Sequence, residues 1–355
     1  MTSNKYQQIV RDIKKSINTG KYEADSKLPS ENELSQKYGV SRQTVRKAIG
    51  FLTEEGFVYA RHGSGTFVAT RINKNAGNKN IAVVCTYMTD YIFPRVIQGI
   101  NSVLSDNGYS ILLKTTNNSR HGEAWCMEEL LSKNIDGMII EPSQSAISCQ
   151  HQVLYDQMDA MGIPYVFIQG CYESMEDRPH VMLDDVLGGQ LVTDHLLSLG
   201  HKRIAGIFKA DDVQGLYRHK GYVRALASAG IGYNPDLVIW YHTKDRTMRP
   251  MEGLMSILEK GLGCDAVVCY NDEIAAGLID GLKSYGRSVP HDISVTGFDN
   301  SLLAQSRGIT TVAHPQELLG KRAAETLLGL IDGSLAKKDA RILLTPQLVE
   351  GKTCM

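Results

Sequence analysis

Apolar residues recur along this chain with two different periods. Near the start, Tyr6, Ile9, Ile13 and Ile17 fall at helical spacing, which predicts a first helix stopped by Gly20. Ser30 followed by Glu33 is a capping box for a second, short helix. Gly39 allows a tight turn. Ser41 then caps a third helix that ends at Gly56 and carries Val45, Ala48, Ile49 and Leu52 on one stripe. Two β-prone runs, Phe57–Ala60 and Thr66–Ala69, flank Arg61–Gly65, the pattern of a hairpin. Two helices joined by a glycine turn form a helix-turn-helix, and the hairpin would be its wing.

From residue 81 the pattern changes. Short apolar runs predict strands at Ile81–Thr86, Ile111–Thr115, Gly137–Ile140, Tyr165–Gln169, Ile204–Phe208, Val238–Tyr241, Ala266–Cys269 and Ser294–Phe298. Amphipathic stretches such as FPRVIQGINSVLSDNG and VLGGQLVTDHLLSLGH separate them. Repeated βαβ units of this length predict parallel sheets covered on both faces. The expected fold class is α/β, a two-lobed, doubly wound body carrying a small N-terminal winged helix-turn-helix. The expected domains are a head at 1–70, a polar linker at 71–80 with no apolar periodicity, and a body at 81–355.

Charge sharpens this division. The 355 residues sum to a net charge of −1, but residues 1–80 hold 14 Lys and Arg against 7 Asp and Glu, and the remainder 24 against 32. A basic head on an acidic body points to a polyanion that meets only the head. The seven cysteines are scattered, with no CxxC pair and no zinc spacing to His, and read as reduced core thiols. No signal-length or membrane-spanning apolar run is present, so a cytoplasmic protein without a membrane partner is expected. In that compartment the sequon Asn117–Ser119 carries no weight.

The head's chemistry lies on two features. Arg42, Gln43 and Arg46 share one face near the start of the third helix, and their planar donor sets match base edges and phosphates. The hairpin segment RHGSGTFV brings Arg61 and His62 beside Gly63 and Gly65. A dinucleotide loop would place a third glycine where Val68 stands and a helix after it, and a phosphate loop would add Lys-Ser/Thr. Neither pattern is met, so the wing tip is expected to touch DNA rather than a nucleotide.

In the body, ligands of such sheets lie at the carboxyl ends of the strands. The polar residues expected there are Asp90, Tyr91, Glu141, Gln169, Lys209, Asp211, Arg218, Asn271, Asp272, Asp299 and His314. Carboxylates, amides and an Arg can exchange hydrogen bonds with hydroxyls, and Tyr91 and Phe93 offer an apolar face to ring carbons. That set suits a sugar. Several members have plain structural alternatives: Asp272 as a helix cap, Asp184 and Asp185 as caps of the next helix, Lys209 as a surface charge, and His314 as a turn holder.

Residues 28–68, LPSENELSQKYGVSRQTVRKAIGFLTEEGFVYARHGSGTFV, resemble the winged-helix head of the GntR family of bacterial repressors. That resemblance implies DNA contacts by Arg42, Gln43 and Arg46 and wing contacts by His62 and Gly63. It also implies backbone contacts by Lys5 and Tyr6. Glu31 would either accept from a cytosine amine, order Arg42, or serve in capping. The stretches LSLGHKRIAGI, YRHKGYVRAL, YNDEIAAGLIDGLKSYG, VPHDISVTGFDN and TTVAHPQELLGKRAAETLL look like the effector domain of the LacI/GalR family. By that likeness Arg218, Asn271 and Asp299 hold effector hydroxyls, and Gln169 and His314 match further pocket positions. A GntR-type head on a LacI-type body is the pairing of arabinose-responsive repressors, which implies L-arabinose as effector, operator DNA and a homodimer as partners, and no cofactor. A cytosolic sugar enzyme with an N-terminal extension is the competing class, but the chain has no G-x-S-x-G, H-E-x-x-H or phosphate loop.

Overall fold

The computed structural model describes residues 3–18, 21–23, 25–54, 56–61, 64–69, 79–88 and 92–355. Contacts divide the chain into two compact units. One takes in residues 1–80, 131–136 and 153–163, and the other takes in 81–130, 137–152 and 164–355.

The N-terminal fold contains α1 (Ser3–Asn18), α2 (Glu31–Tyr38), α3 (Arg42–Glu54), β1 (Val58–Arg61) and β2 (Gly65–Val68). The expected capping box forms: the Ser30 N–H donates to Glu33 at 2.7 Å, and the Glu33 N–H donates back to Ser30 Oγ at 3.3 Å. Gly39 ends α2 in the left-handed conformation, φ 60°, which lets the chain turn sharply into α3. Ile9, Ile13, Leu34, Val45, Ala48, Leu52, Val58 and Val68 close a small core. β1 and β2 pair antiparallel from Val58–Val68 to Arg61–Gly65. Residues 25–28 join this hairpin, with the Leu28 N–H on Thr66 O and the Val68 N–H on Ser26 O, both at 2.9 Å. No alternation in that short polar segment foretold it.

The body runs β3 (Asn80–Cys85), α4 (Phe93–Asp106), β4 (Ser110–Thr115), α5 (Arg120–Leu131), β5 (Gly137–Ile140), α6 (Gln152–Ala160), β6 (Tyr165–Ile168) and β7 (His180–Leu183). It continues with α7 (Asp185–Ser198), β8 (Ile204–Lys209), α8 (Val213–Ser228), β9 (Val238–Tyr241), α9 (Arg249–Glu259), β10 (Ala266–Cys269), α10 (Asp272–Ser284), β11 (Ser294–Thr296), α11 (Leu302–Arg307) and β12 (Thr311–Ala313). It ends with α12 (Gln316–Asp332), β13 (Arg341–Leu344) and β14 (Gln347–Val349).

One lobe is built on a six-stranded sheet, ordered β13-β7-β6-β5-β3-β4, and the other on a four-stranded parallel sheet, β11-β10-β8-β9. β12 and β14 form a separate antiparallel pair. All eight strands expected in the body are present. The four short strands β7, β12, β13 and β14 were not foreseen. They are three or four residues long and lie where the chain passes between lobes, at residues 184, 314–315 and 345–346, too short for an apolar run or alternation to mark them.

Alternation in the second lobe's strands serves both faces. Ile207, Val267 and Cys269 enter one core, while Phe208, Ala266 and Val268 enter the other with Leu196 and Tyr222. Glycines set the closest helix approaches. A Cβ on Gly320 of α12 would run into the backbone of Val96 and Ile100 on α4, and one on Gly221 of α8 into the backbone of Val186 and Gln190 on α7. Gly189 of α7 lies against the backbone of Arg218 in the same way, which fixes where that arginine starts.

Candidate functional site

Arg42, Gln43 and Arg46 stand exposed along the first turns of α3. Arg46 makes a two-pronged ion pair with Glu31 at the start of α2, Nε to Oε1 at 3.1 Å and Nη2 to Oε2 at 2.9 Å. Its hydrogen bonds hold the Glu31 carboxyl below the usual carboxylate range. Glu31 therefore orders Arg46, where the sequence suggested Arg42, a cytosine contact or a cap. The pair aims one guanidinium while leaving three-quarters of it exposed. Lys5 is exposed, and Tyr6 is half-buried, stacked on Phe51 at 5.4 Å with the Lys47 ammonium 4.5 Å from its ring centre. His62 and Gly63 lie outside the described residues. Their neighbour Arg61 is held 5.0 Å over the Phe67 ring and donates to Tyr59 Oη, which donates in turn to Asp25. A preordered cation thus sits at the base of the wing. It was visible in the sequence only as a basic residue beside glycines.

The body carries a cavity between its two sheets. Phe93, Glu141, Gln169, Arg218, Asn271 and Asp299 all line it, as expected. Asp90 and Tyr91 lie outside the described residues. His314 is buried behind the wall, bonded through Nε2 to the Gln169 amide oxygen at 2.8 Å.

Arg218 projects from α8 with each guanidinium nitrogen holding one partner. Nε meets Asp185 at 2.8 Å, Nη1 donates to the Tyr270 carbonyl at 2.6 Å and Nη2 reaches Asp299 at 3.3 Å. The plane lies 3.6 Å over the Phe298 ring. Burial opposes its charge, but Asp185 and Asp299 outweigh that and keep it protonated. Asp184 caps α7 through the Leu187 N–H, while Asp185 is the arginine's partner. Asn271, not Asp272, caps α10, accepting from the Ile274 N–H at 3.0 Å. Asp272 is instead buried beneath, taken up by Ser301 and Thr311.

Glu141 accepts from the Thr86 N–H and hydroxyl, both at 2.6 Å. Burial nevertheless pushes its carboxyl up to about 7, against those two donors. Across the cavity Lys209 pairs with Asp212 at 3.0 Å, so it is no surface charge. Burial works against that ammonium too, but Asp212 and Asp211 raise its pKa overall. Asp211 turns away to accept from the Thr243 N–H, and the lining carboxylate is Asp212, one residue further on. Asp212 also caps α8 and takes the Tyr270 hydroxyl at 2.7 Å.

Several contacts join the lobes around this cavity. The Asn118 amide donates to Thr243 Oγ1 at 2.7 Å, the Val213 N–H to Ser145 Oγ at 3.0 Å, and Arg246 lies over Tyr87 at 5.4 Å. Sequence reading missed Asn118, Thr243, Arg246 and Tyr270, because their approach depends on how two sheets face each other. Asn118, Gln144, Gln169 and Asp299 in this region sit at positive φ, at 54°, 50°, 67° and 100°. Such backbone is uncommon outside glycine and clusters where side chains must be held for function.

An exposed basic recognition helix and a buried polar cavity between doubly wound lobes are the marks of a ligand-responsive transcription regulator. The model of the bacterial regulatory proteins of the gntR family matches residues 5–68, and that of the periplasmic binding protein-like domain matches residues 193–354. An arabinose metabolism transcriptional repressor of Halalkalibacterium halodurans is 40% identical, covering 97% of this chain and 95% of its own. One from Geobacillus stearothermophilus is 38% identical over 98% and 97%. A solved transcriptional regulator CelR–cellobiose complex is 24% identical and shares the fold with a TM-score of 0.70, over 92% of this chain and 100% of that one. The chain belongs to the family of arabinose metabolism transcriptional repressors.

Proposed function

We propose that this protein represses sugar-utilisation genes in the cytoplasm, binding operator DNA as a dimer through residues 1–70 and releasing it when L-arabinose enters the cavity of residues 81–355. The observation that carries the ligand class is the charge state of the cavity wall. Two of its cations are already paired with carboxylates, Arg218 with Asp185 and Asp299 and Lys209 with Asp212, while the exposed Arg246 lies over Tyr87. Glu141, Asp212, Glu273 and Asp299 line the same space. A phosphorylated or carboxylated ligand would meet those carboxylates while two of the three lining cations are already neutralised by their partners. A neutral polyol can donate to the carboxylates and accept from Asn271 and Arg218, with Phe93 against its carbons. The names of the relatives favour L-arabinose among such ligands. Three of the wall's carboxylates have structural partners: Asp212 caps α8 and holds Lys209, Asp299 holds Arg218, and Glu141 accepts from Thr86.

On DNA, Arg42, Gln43 and Arg46 would enter the major groove, and Arg61 with His62 and Gly63 would follow the adjoining backbone or minor groove. Lys5 and Tyr6 would touch phosphates. A sugar that bridges Glu141 on one lobe and Arg218 or Asn271 on the other favours the closed body, and the linker at 71–80 passes that bias to the heads. The test is operator binding by fluorescence anisotropy with and without L-arabinose, alongside calorimetry of pentoses, hexoses and a pentose phosphate. Weakening of operator binding by L-arabinose, with no binding of the phosphate, is expected. Tight binding of the phosphate, or unchanged operator affinity, would overturn the reading.

A further inference from the structure

Gln169 follows β6 with 2% of its surface exposed, and its left-handed backbone turns the side chain into the cavity wall. The amide oxygen is engaged twice, by His314 Nε2 at 2.8 Å and by the Gln214 amide nitrogen at 3.5 Å. The amide nitrogen is buried with no partner among the described residues. His314, 5% exposed, leaves Nδ1 without a partner as well. Burial holds the imidazole down at about 4, with Asp299 pulling the other way, so the ring is neutral near pH 7 and carries one hydrogen. A neutral ring that faces an amide oxygen must carry that hydrogen on Nε2. The N–H then fixes which way the amide lies, and it leaves an unpaired NH2 on a residue of the cavity wall. A buried donor left unmade is costly, so a ligand that accepts there is favoured.

We propose that His314 is a positioning residue: by orienting the Gln169 amide it makes one point of the cavity a hydrogen-bond donor, and the ligand must present an acceptor oxygen to it. This differs from direct contact by His314, which the family resemblance implied. It rests on the cavity taking a neutral sugar.

A hydroxyl both donates and accepts, so native sugars cannot separate the two polarities. A deoxyfluoro analogue accepts without donating, and a deoxy analogue does neither. Calorimetry would compare L-arabinose with both analogues at each hydroxyl, for the wild-type protein, His314→Leu and His314→Gln. At one position the fluoro analogue is expected to stay within about 3-fold of the parent sugar while the deoxy analogue loses about tenfold. In His314→Leu the amide is free to turn and the gap closes. His314→Gln supplies an N–H again and reopens it. Equal weakening by fluoro and deoxy analogues at every position overturns the proposal, as does an undiminished gap in folded His314→Leu. Should that variant fail to fold by thermal melting, the wild-type comparison still decides. Failure of L-arabinose itself to bind the wild-type protein instead overturns the sugar reading, and this inference with it.

Discussion

Arg218 shows at the residue scale how a binding group can also hold a fold together. Asp185 and Asp299 are buried on it, so Arg218→Ala strands two carboxylates, and losing one partner of a buried pair costs about 3–5 kcal/mol. That variant is expected to melt well below the wild type as well as to lose the sugar response. Asp299→Asn keeps the Asp185 pair and the side-chain volume, so it should stay folded, bind operator and ignore sugar, as read by thermal melting, anisotropy and calorimetry. Glu141 adds a pH dependence. Its pKa is raised from 4.5 unfolded to about 7 folded, so its contribution to stability is complete below 4.5 and is lost as pH rises through about 7. Between pH 5.5 and 8 the loss is about 2 kcal/mol. Glu141→Gln should therefore gain several degrees on the wild type over that interval, as followed by melting at each pH.

Elements meet in this protein where side chains are missing or shared. Gly320→Ala places a methyl against the Val96 carbonyl of α4, and overpacking of this kind costs about 1–3 kcal/mol. Gly277→Ala on α10 meets open space and should be neutral or stabilising by about 0.5–1 kcal/mol. Denaturant unfolding of the two variants separates packing from helix propensity. Between lobes, the segment 242–248 reaches the first lobe through Thr243 on Asn118 and Arg246 on Tyr87. Thr243→Val keeps the shape and removes one hydrogen bond, worth about 0.5–1.5 kcal/mol. A two- to tenfold weaker sugar affinity, arising mainly from faster dissociation and with little change in melting temperature, is expected by calorimetry and stopped flow.

For the whole molecule the quantity that matters is the coupling between two sites. If saturating L-arabinose weakens operator binding by some factor, saturating operator must weaken L-arabinose binding, taken over both sites of the dimer, by the same factor, because the two are one free-energy cycle. Couplings of this kind are typically about 1–3 kcal/mol, or roughly 5- to 150-fold. Titrating sugar into the free protein and into the operator complex measures it from both sides. Unequal factors would mean that one of the titrations had not reached equilibrium or saturation.

The winged head, the eight main body strands and seven residues of the cavity wall could be read from the chain, because helical spacing, alternation and capping boxes are local patterns. Glu33 finds Ser30 three residues away, and Phe208 and Ile207 part to opposite faces by alternation alone. The division of charge between residues 1–80 and the rest was equally plain. Other features depend on distance in sequence and proximity in space. Glu31 and Arg46 are 15 residues apart, Gln169 and His314 are 145 apart, and Asn118 and Thr243 are 125 apart. No periodicity encodes such pairs. Only tertiary packing decided that Asp185 would hold Arg218, that Asp212 rather than Asp211 would line the cavity, and that His314 would stand behind its wall.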